Sequence, residues 1–479
     1  MTIQNDQGVV ELPTAQVPAD QGLSSLGLII QLAGTLFAAY ISLFMFMALM
    51  MMPRMGGGGE AMYIFLALGA CIARSFFHRA AGTELLYGRR TLSETPVGSF
   101  GGVRRYIVVA LIQTVVLALL LKMKFEAPTS AVIGVAGGLA AWPVILMALL
   151  MLPRFKRLEG APLPIAEDKG FEGASILMAI LGTCGAVAMG TILFMMLKMG
   201  GKAMQQGPMV LLLLSVAMLC VRSVIHVQAG LSGIRETSID RSVELANRYA
   251  NFGVISSFCA GGAILLMIMT VGMNVLGLAV IAGVCWMLMA WPLIIRRFFS
   301  DRQFADLLAG DGASLHRRAP DAGLTGLGWL LIAQAALGAT FLIPQLVMGH
   351  AGVGGDGMEK MITALAGPMG MRSVWFSVGL TVLQGWAGYE LVRMSAQHKF
   401  IAVAYGVIAT GLTVYMIWPI IEMMKHSRGM FAGQELTMMI GPICIQLVVP
   451  VATLLLVARK IAPTATARFK PRAAESTSA

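Results

Sequence analysis

Charge is scarce in this chain. Asp, Glu, Lys and Arg make up 12% of its 479 residues, about half the roughly 25% of an ordinary soluble domain. The six cysteines (Cys71, Cys184, Cys220, Cys259, Cys285 and Cys444) all lie in apolar runs and none forms a CxxC pair. That spacing excludes a zinc quartet and a disulfide framework and leaves them as small core residues. No phosphate loop, nucleophile elbow or HExxH occurs anywhere, which removes most hydrolases and ATP-driven chemistry. The first 24 residues hold Asp6, Glu11 and Asp20 but no Lys or Arg, so they lack the basic start of a secretory signal.

What is present is apolar sequence, 57% of the chain, in continuous runs of about 20 residues, each long enough to cross a bilayer core of roughly 30 Å. Continuous runs predict helices; a β-barrel would alternate. Twelve spans are expected, near 25–52, 61–80, 105–123, 131–153, 174–198, 208–228, 250–273, 275–297, 325–348, 359–382, 400–424 and 434–458. Lys and Arg divide unevenly between the two sides. The side with both termini carries 24 and the other 8, leaving aside three intramembrane arginines. The excess predicts cytoplasmic termini and a location in a bacterial inner (plasma) membrane. The net charge of +11 is then read as facing anionic lipid, with no nucleic-acid partner.

The three arginines recur with a serine: Arg74-Ser75, Arg222-Ser223 and Arg372-Ser373, spaced by 148 and 150 residues. Other landmarks repeat in the same order. A hairpin turns at Met55-Gly56, Met199-Gly200 and Met348-Gly349. A basic–aromatic pair opens the third span at Arg105-Tyr106, Arg248-Tyr249 and Lys399-Phe400. A proline follows a large apolar residue in the fourth span at Trp142-Pro143, Trp291-Pro292 and Val449-Pro450. The expected fold is therefore an all-α polytopic membrane protein of 12 transmembrane helices, built as three parallel four-helix repeats round a pseudo-threefold axis, with a row of three bundles as the alternative. The divisions are a flexible cytoplasmic arm (1–24), repeat 1 (25–154), a linker (155–173), repeat 2 (174–299), a linker (300–324), repeat 3 (325–460) and a disordered basic tail (461–479). Four-helix units of this size in threes resemble the trimeric membrane enzymes of glutathione and eicosanoid metabolism. The arginine motif with Asn and Glu in their second helix is not matched here, so the resemblance is one of architecture and implies no activity.

An arginine inside a membrane must face protein or water. Arg74, Ser75, Arg222, Ser223, Arg372 and Ser373 are the candidates for binding an anion or other substrate, as a ring of cations about the axis. The alternative is that each arginine bonds carbonyl groups or snorkels to the cytoplasmic surface. One turn on from them stand His78, His226 and Phe376. The two histidines are candidate axial ligands of a b-type haem; the alternative is a hydrogen-bonded interior histidine. Met51 with Met55, and Met195 with Met199, have the one-turn spacing of a Cu(I) thioether pair, or simply fill apolar gaps. No cofactor is expected beyond these two alternatives. The functional expectation is a transporter or channel-like protein for a small anionic or polar solute. The alternatives are a non-catalytic scaffold or accessory subunit of a larger membrane complex with membrane-protein partners, and a haem-bearing redox subunit. No catalytic residue is assigned.

Overall fold

The computed structural model describes residues 22–51, 59–87, 100–156, 159, 170–199, 207–235, 239–271, 275–300, 322–350, 371–426 and 432–461. They form twelve long helices and one short helical turn. The first four are α1 (Leu23–Met51), α2 (Gly59–Tyr87), α3 (Gly101–Met123) and α4 (Thr129–Leu150), followed by the turn Pro153–Lys156. Next come α5 (Phe171–Met199), α6 (Gly207–Arg235), α7 (Ile239–Val271) and α8 (Val275–Phe299). The last four are α9 (Ala322–His350), α10 (Met371–Arg393), α11 (His398–His426) and α12 (Ala432–Ile461). The expected arm, most of the linkers and the tail lie outside the described residues.

Ten of these helices are long and apolar enough to cross a membrane, so the chain is a multi-pass integral membrane protein. Among the described residues, α10 and α12 do not reach that standard. The surface agrees. On α3, Val108, Ile112, Val115 and Leu119 form one stripe at helical spacing and are all more than half exposed. So large an apolar surface is stable only against lipid tails or another apolar partner.

Each helix packs on the next in the chain within the sets α1–α4, α5–α8 and α9–α12. Beyond them, α1 packs on α8, α5 on α12 and α9 on α4, while α1, α5 and α9 also touch one another. Small residues make these approaches possible. A Cβ on Gly283 would sit 3.6 Å from the Leu43 Cβ, one on Gly441 3.4 Å from the Thr191 Cβ, and one on Gly134 3.5 Å from the Pro344 Cβ. The first helices come closest near their N-termini, where Ser25, Gly173 and Gly326 are in mutual contact. There Gly323 donates its backbone N–H to Glu172 Oε2 at 3.3 Å, so a side chain of α5 serves the N-terminal end of α9. Above that point the space fills with buried apolar side chains, among them Leu28, Leu177, Leu327 and Leu331.

Two sequence expectations change. The span placed at 359–382 runs on to Arg393. The span placed at 250–273 begins earlier, at Ile239, as the 33-residue α7; the Arg248–Glu244 pair on its first turns is a surface i,i+4 contact.

Candidate interior clusters on two arginines

Proline creates the local chemistry. It has no N–H, so within a helix it leaves the carbonyl four residues earlier without its usual donor. Pro143 lies inside α4 and Pro292 inside α8, and the carbonyls they free are those of Leu139 and Leu288. The arginines serve these two oxygens. Arg74 Nη2 donates to the Leu139 carbonyl at 2.8 Å, and Arg222 Nη2 donates to the Leu288 carbonyl at 2.7 Å. A guanidinium thus replaces the missing backbone donor and ties α2 to α4 and α6 to α8. The interior charge is met by a helix carbonyl whose partner the sequence has removed.

The histidines complete each cluster. Trp142 Nε1–H donates to His78 Nε2 at 2.9 Å, and Trp291 Nε1–H donates to His226 Nε2 at 2.8 Å. Because Nε2 accepts in both, each ring carries its proton on Nδ1. His78 stacks on Tyr106 with centroids 4.3 Å apart, and His226 on Tyr249 at 4.1 Å. The same tyrosine faces lie near the guanidinium carbons of Arg74, at 6.0 Å, and Arg222, at 5.8 Å, the outer limit of a cation–π contact. Ser75 and Ser223 each bond back to a carbonyl one turn earlier, on Cys71 and Leu219. In the second cluster Arg222 Nη1 also donates to Ser257.

The Arg372 and Ser373 side chains lie outside the described residues, but the backbone gives their place. Arg74 and Arg222 each stand 13 residues before the end of their helix, whereas Arg372 stands 21 before the end of α10. Packing between neighbouring helices gives the correspondence. Gly82 meets the backbone of Gly27 and Gln31, Gly230 that of Ser175 and Ala179, and Gly388 that of Gly328 and Ile332. Arg74 and Arg222 fall eight residues before their glycine; eight before Gly388 is Leu380. The serine position becomes Thr381, which touches Gly338 as Ser223 touches Gly185. The histidine position becomes Gln384, not the expected Phe376, and Gln384 bonds Gln334 on α9 at 2.8 Å. In the fourth helices, Gly134, Gly283 and Gly441 each precede their proline by nine residues. This pairs Trp142 and Trp291 with Val449. Measured from these glycines, the Arg-Ser at 372–373 stands eight residues earlier than the other two, about 12 Å along a helix.

One landmark also moves. Phe400 is 76% exposed, whereas Tyr106, Tyr249 and, five residues after Phe400, Tyr405 are all buried. Tyr106, Trp142, Tyr249 and Trp291 belong to the clusters and were not among the expected site residues. The signal was present: each tryptophan immediately precedes a proline whose i−4 carbonyl an arginine takes.

Arg74 and Arg222 are each bonded within their own set of four helices. Of the thioether candidates, Met195 is half-buried; the side chains of Met51, Met55 and Met199 lie outside the described residues. Among the described residues no group of three or more His, Cys, Asp or Glu is placed to hold a metal. No protein-family model, curated protein or solved structure matches the chain.

Proposed function

We propose that this chain is a non-catalytic membrane scaffold, an accessory subunit built as three parallel four-helix units closed into a pseudo-threefold ring, with both termini cytoplasmic. The observation that carries the reading is the use of the two arginines. Each donates to a proline-freed carbonyl inside its own unit and so acts as an internal tie. Such ties explain costly interior charges without a solute.

The ring is supported by the cycle of contacts, α1 on α8, α5 on α12 and α9 on α4. A row of three units supplies two such interfaces, a ring three. The touching of Ser25, Gly173 and Gly326 near the axis, with apolar side chains above, speaks for a dry centre. The haem alternative loses its main support because the Trp142 and Trp291 indoles occupy Nε2 of His78 and His226, a nitrogen that would otherwise be available to iron.

The test uses full-length protein in two experiments. In vesicles loaded with chloride or lactate, the scaffold reading expects no protein-dependent leak. A flux abolished by Arg74→Leu or Arg222→Leu would overturn it in favour of transport. Extracted with its native lipid, the chain should migrate in an assembly clearly larger than its own 50.9 kDa; a lone monomer would contradict the accessory role.

A further inference from the structure

The three units are alike in backbone and unlike in what crosses them. In the first, Arg74 and His78 on α2 reach the Leu139 carbonyl and Trp142 on α4. In the second, Arg222 and His226 on α6 reach the Leu288 carbonyl and Trp291 on α8. Each unit thus has two hydrogen bonds running across it from second helix to fourth. In the third, the matching residues are Leu380, Gln384 and Val449. Leucine and valine have no polar group to offer, and Gln384 is turned to Gln334 on α9. Pro450 is retained, so the backbone break in α12 remains while its cross-tie is gone.

We propose that the third unit is the moving part of the molecule, with α12 and the adjoining α11 swinging against α10 about the Pro450 position. The other two units stay fixed by their arginine and histidine ties. Two packed arrangements of such a pair come closer in energy when the bonds at this level are missing. α12 packs on α5 of the second unit, so its swing is passed to the ring. The proposal rests on the equivalence of the three units, which cross-linking between units tests independently.

Equivalent exposed positions make the comparison direct. Phe76, Val224 and Val382 stand two residues after the arginine position, and Val144, Leu293 and Val451 directly follow the prolines; all six are exposed. Spin labels are placed at 76 and 144, at 224 and 293, and at 382 and 451, each pair in full-length protein whose six native cysteines are replaced. Pulsed electron–electron resonance in lipid nanodiscs then gives three distance distributions. The 382–451 distribution should be about twofold broader than the others, or split in two. Leu380→Arg, which offers a donor to the Gln446 carbonyl freed by Pro450, should narrow it. Arg74→Leu should broaden the 76–144 distribution toward the third unit's width. Three distributions of equal width would overturn the proposal, and so would an Arg74→Leu protein that stays folded with an unchanged 76–144 distribution.

Discussion

The helix sets α5–α8 and α9–α12, the second and third of the three, pack alike at their glycines and differ in what joins their interiors. In the second, α6 and α8 are joined by Arg222 on a proline-freed carbonyl and by Trp291 on His226. In the third, Leu380 stands on α10 and Val449 on α12 at the matching positions, with Pro450 kept. The glycine contacts that seat each second helix on its first are nonetheless the same in kind, Gly230 on Ala179 and Gly388 on Ile332. Helix packing and polar cross-ties are therefore separable layers. The first sets where helices lie; the second sets how firmly one pair is held.

The largest expected effect comes from breaking what the two units share. A Cβ at Gly388 would lie 2.6 Å from the Gly328 carbonyl oxygen, and one at Gly230 would meet the Ala179 amide. Gly388→Val and Gly230→Val should each cost about 3 kcal/mol or more, because backbone cannot move aside as a side chain can. Thermal unfolding of purified protein checks this, with Gly262→Val, which meets nothing within 4 Å, as the unaffected control.

A smaller effect separates the units. Arg222→Leu leaves the Leu288 carbonyl without a donor and should lower stability by about 1–3 kcal/mol. In a Pro292→Ala background the restored N–H serves that carbonyl, and the same change should cost about 1 kcal/mol less. A double-mutant cycle reads the difference, and no coupling between 222 and 292 would refute the tie. The smallest effect is at the surface. The Arg248–Glu244 pair has side chains 68% and 59% exposed, so Arg248→Ala should change stability by at most about 0.5 kcal/mol, and less in high salt.

Much of the architecture was legible because membrane helices announce themselves by length and hydropathy. The apolar runs predicted spans close to α3, α4, α6 and α8. Pro143, Pro292 and Pro450 each follow by nine residues a glycine that meets a helix of another set, Gly134, Gly283 and Gly441. The third Arg-Ser does not keep the position of the other two relative to the glycine approaches. Identity of two letters at a near-constant spacing ignores which residue faces the neighbouring helix, and that facing is set by the glycine approaches. Read from Gly388, the third unit has no arginine at this level. The tyrosines and tryptophans went unassigned because stacking on a histidine brings together residues from three helices, a proximity that no spacing along one chain expresses.

The most direct test of the ring is disulfide trapping at its three matching interfaces. Leu43→Cys with Gly283→Cys, Thr191→Cys with Gly441→Cys, and Gly134→Cys with Pro344→Cys would place Cβ atoms 3.6, 3.4 and 3.5 Å apart, close to the roughly 3.8 Å mean of disulfides. A closed ring predicts that all three pairs cross-link in membranes, including the 134–344 pair joining the first unit to the third. Cross-linking at the first two pairs and none at 134–344 would leave a row of units and contradict the account.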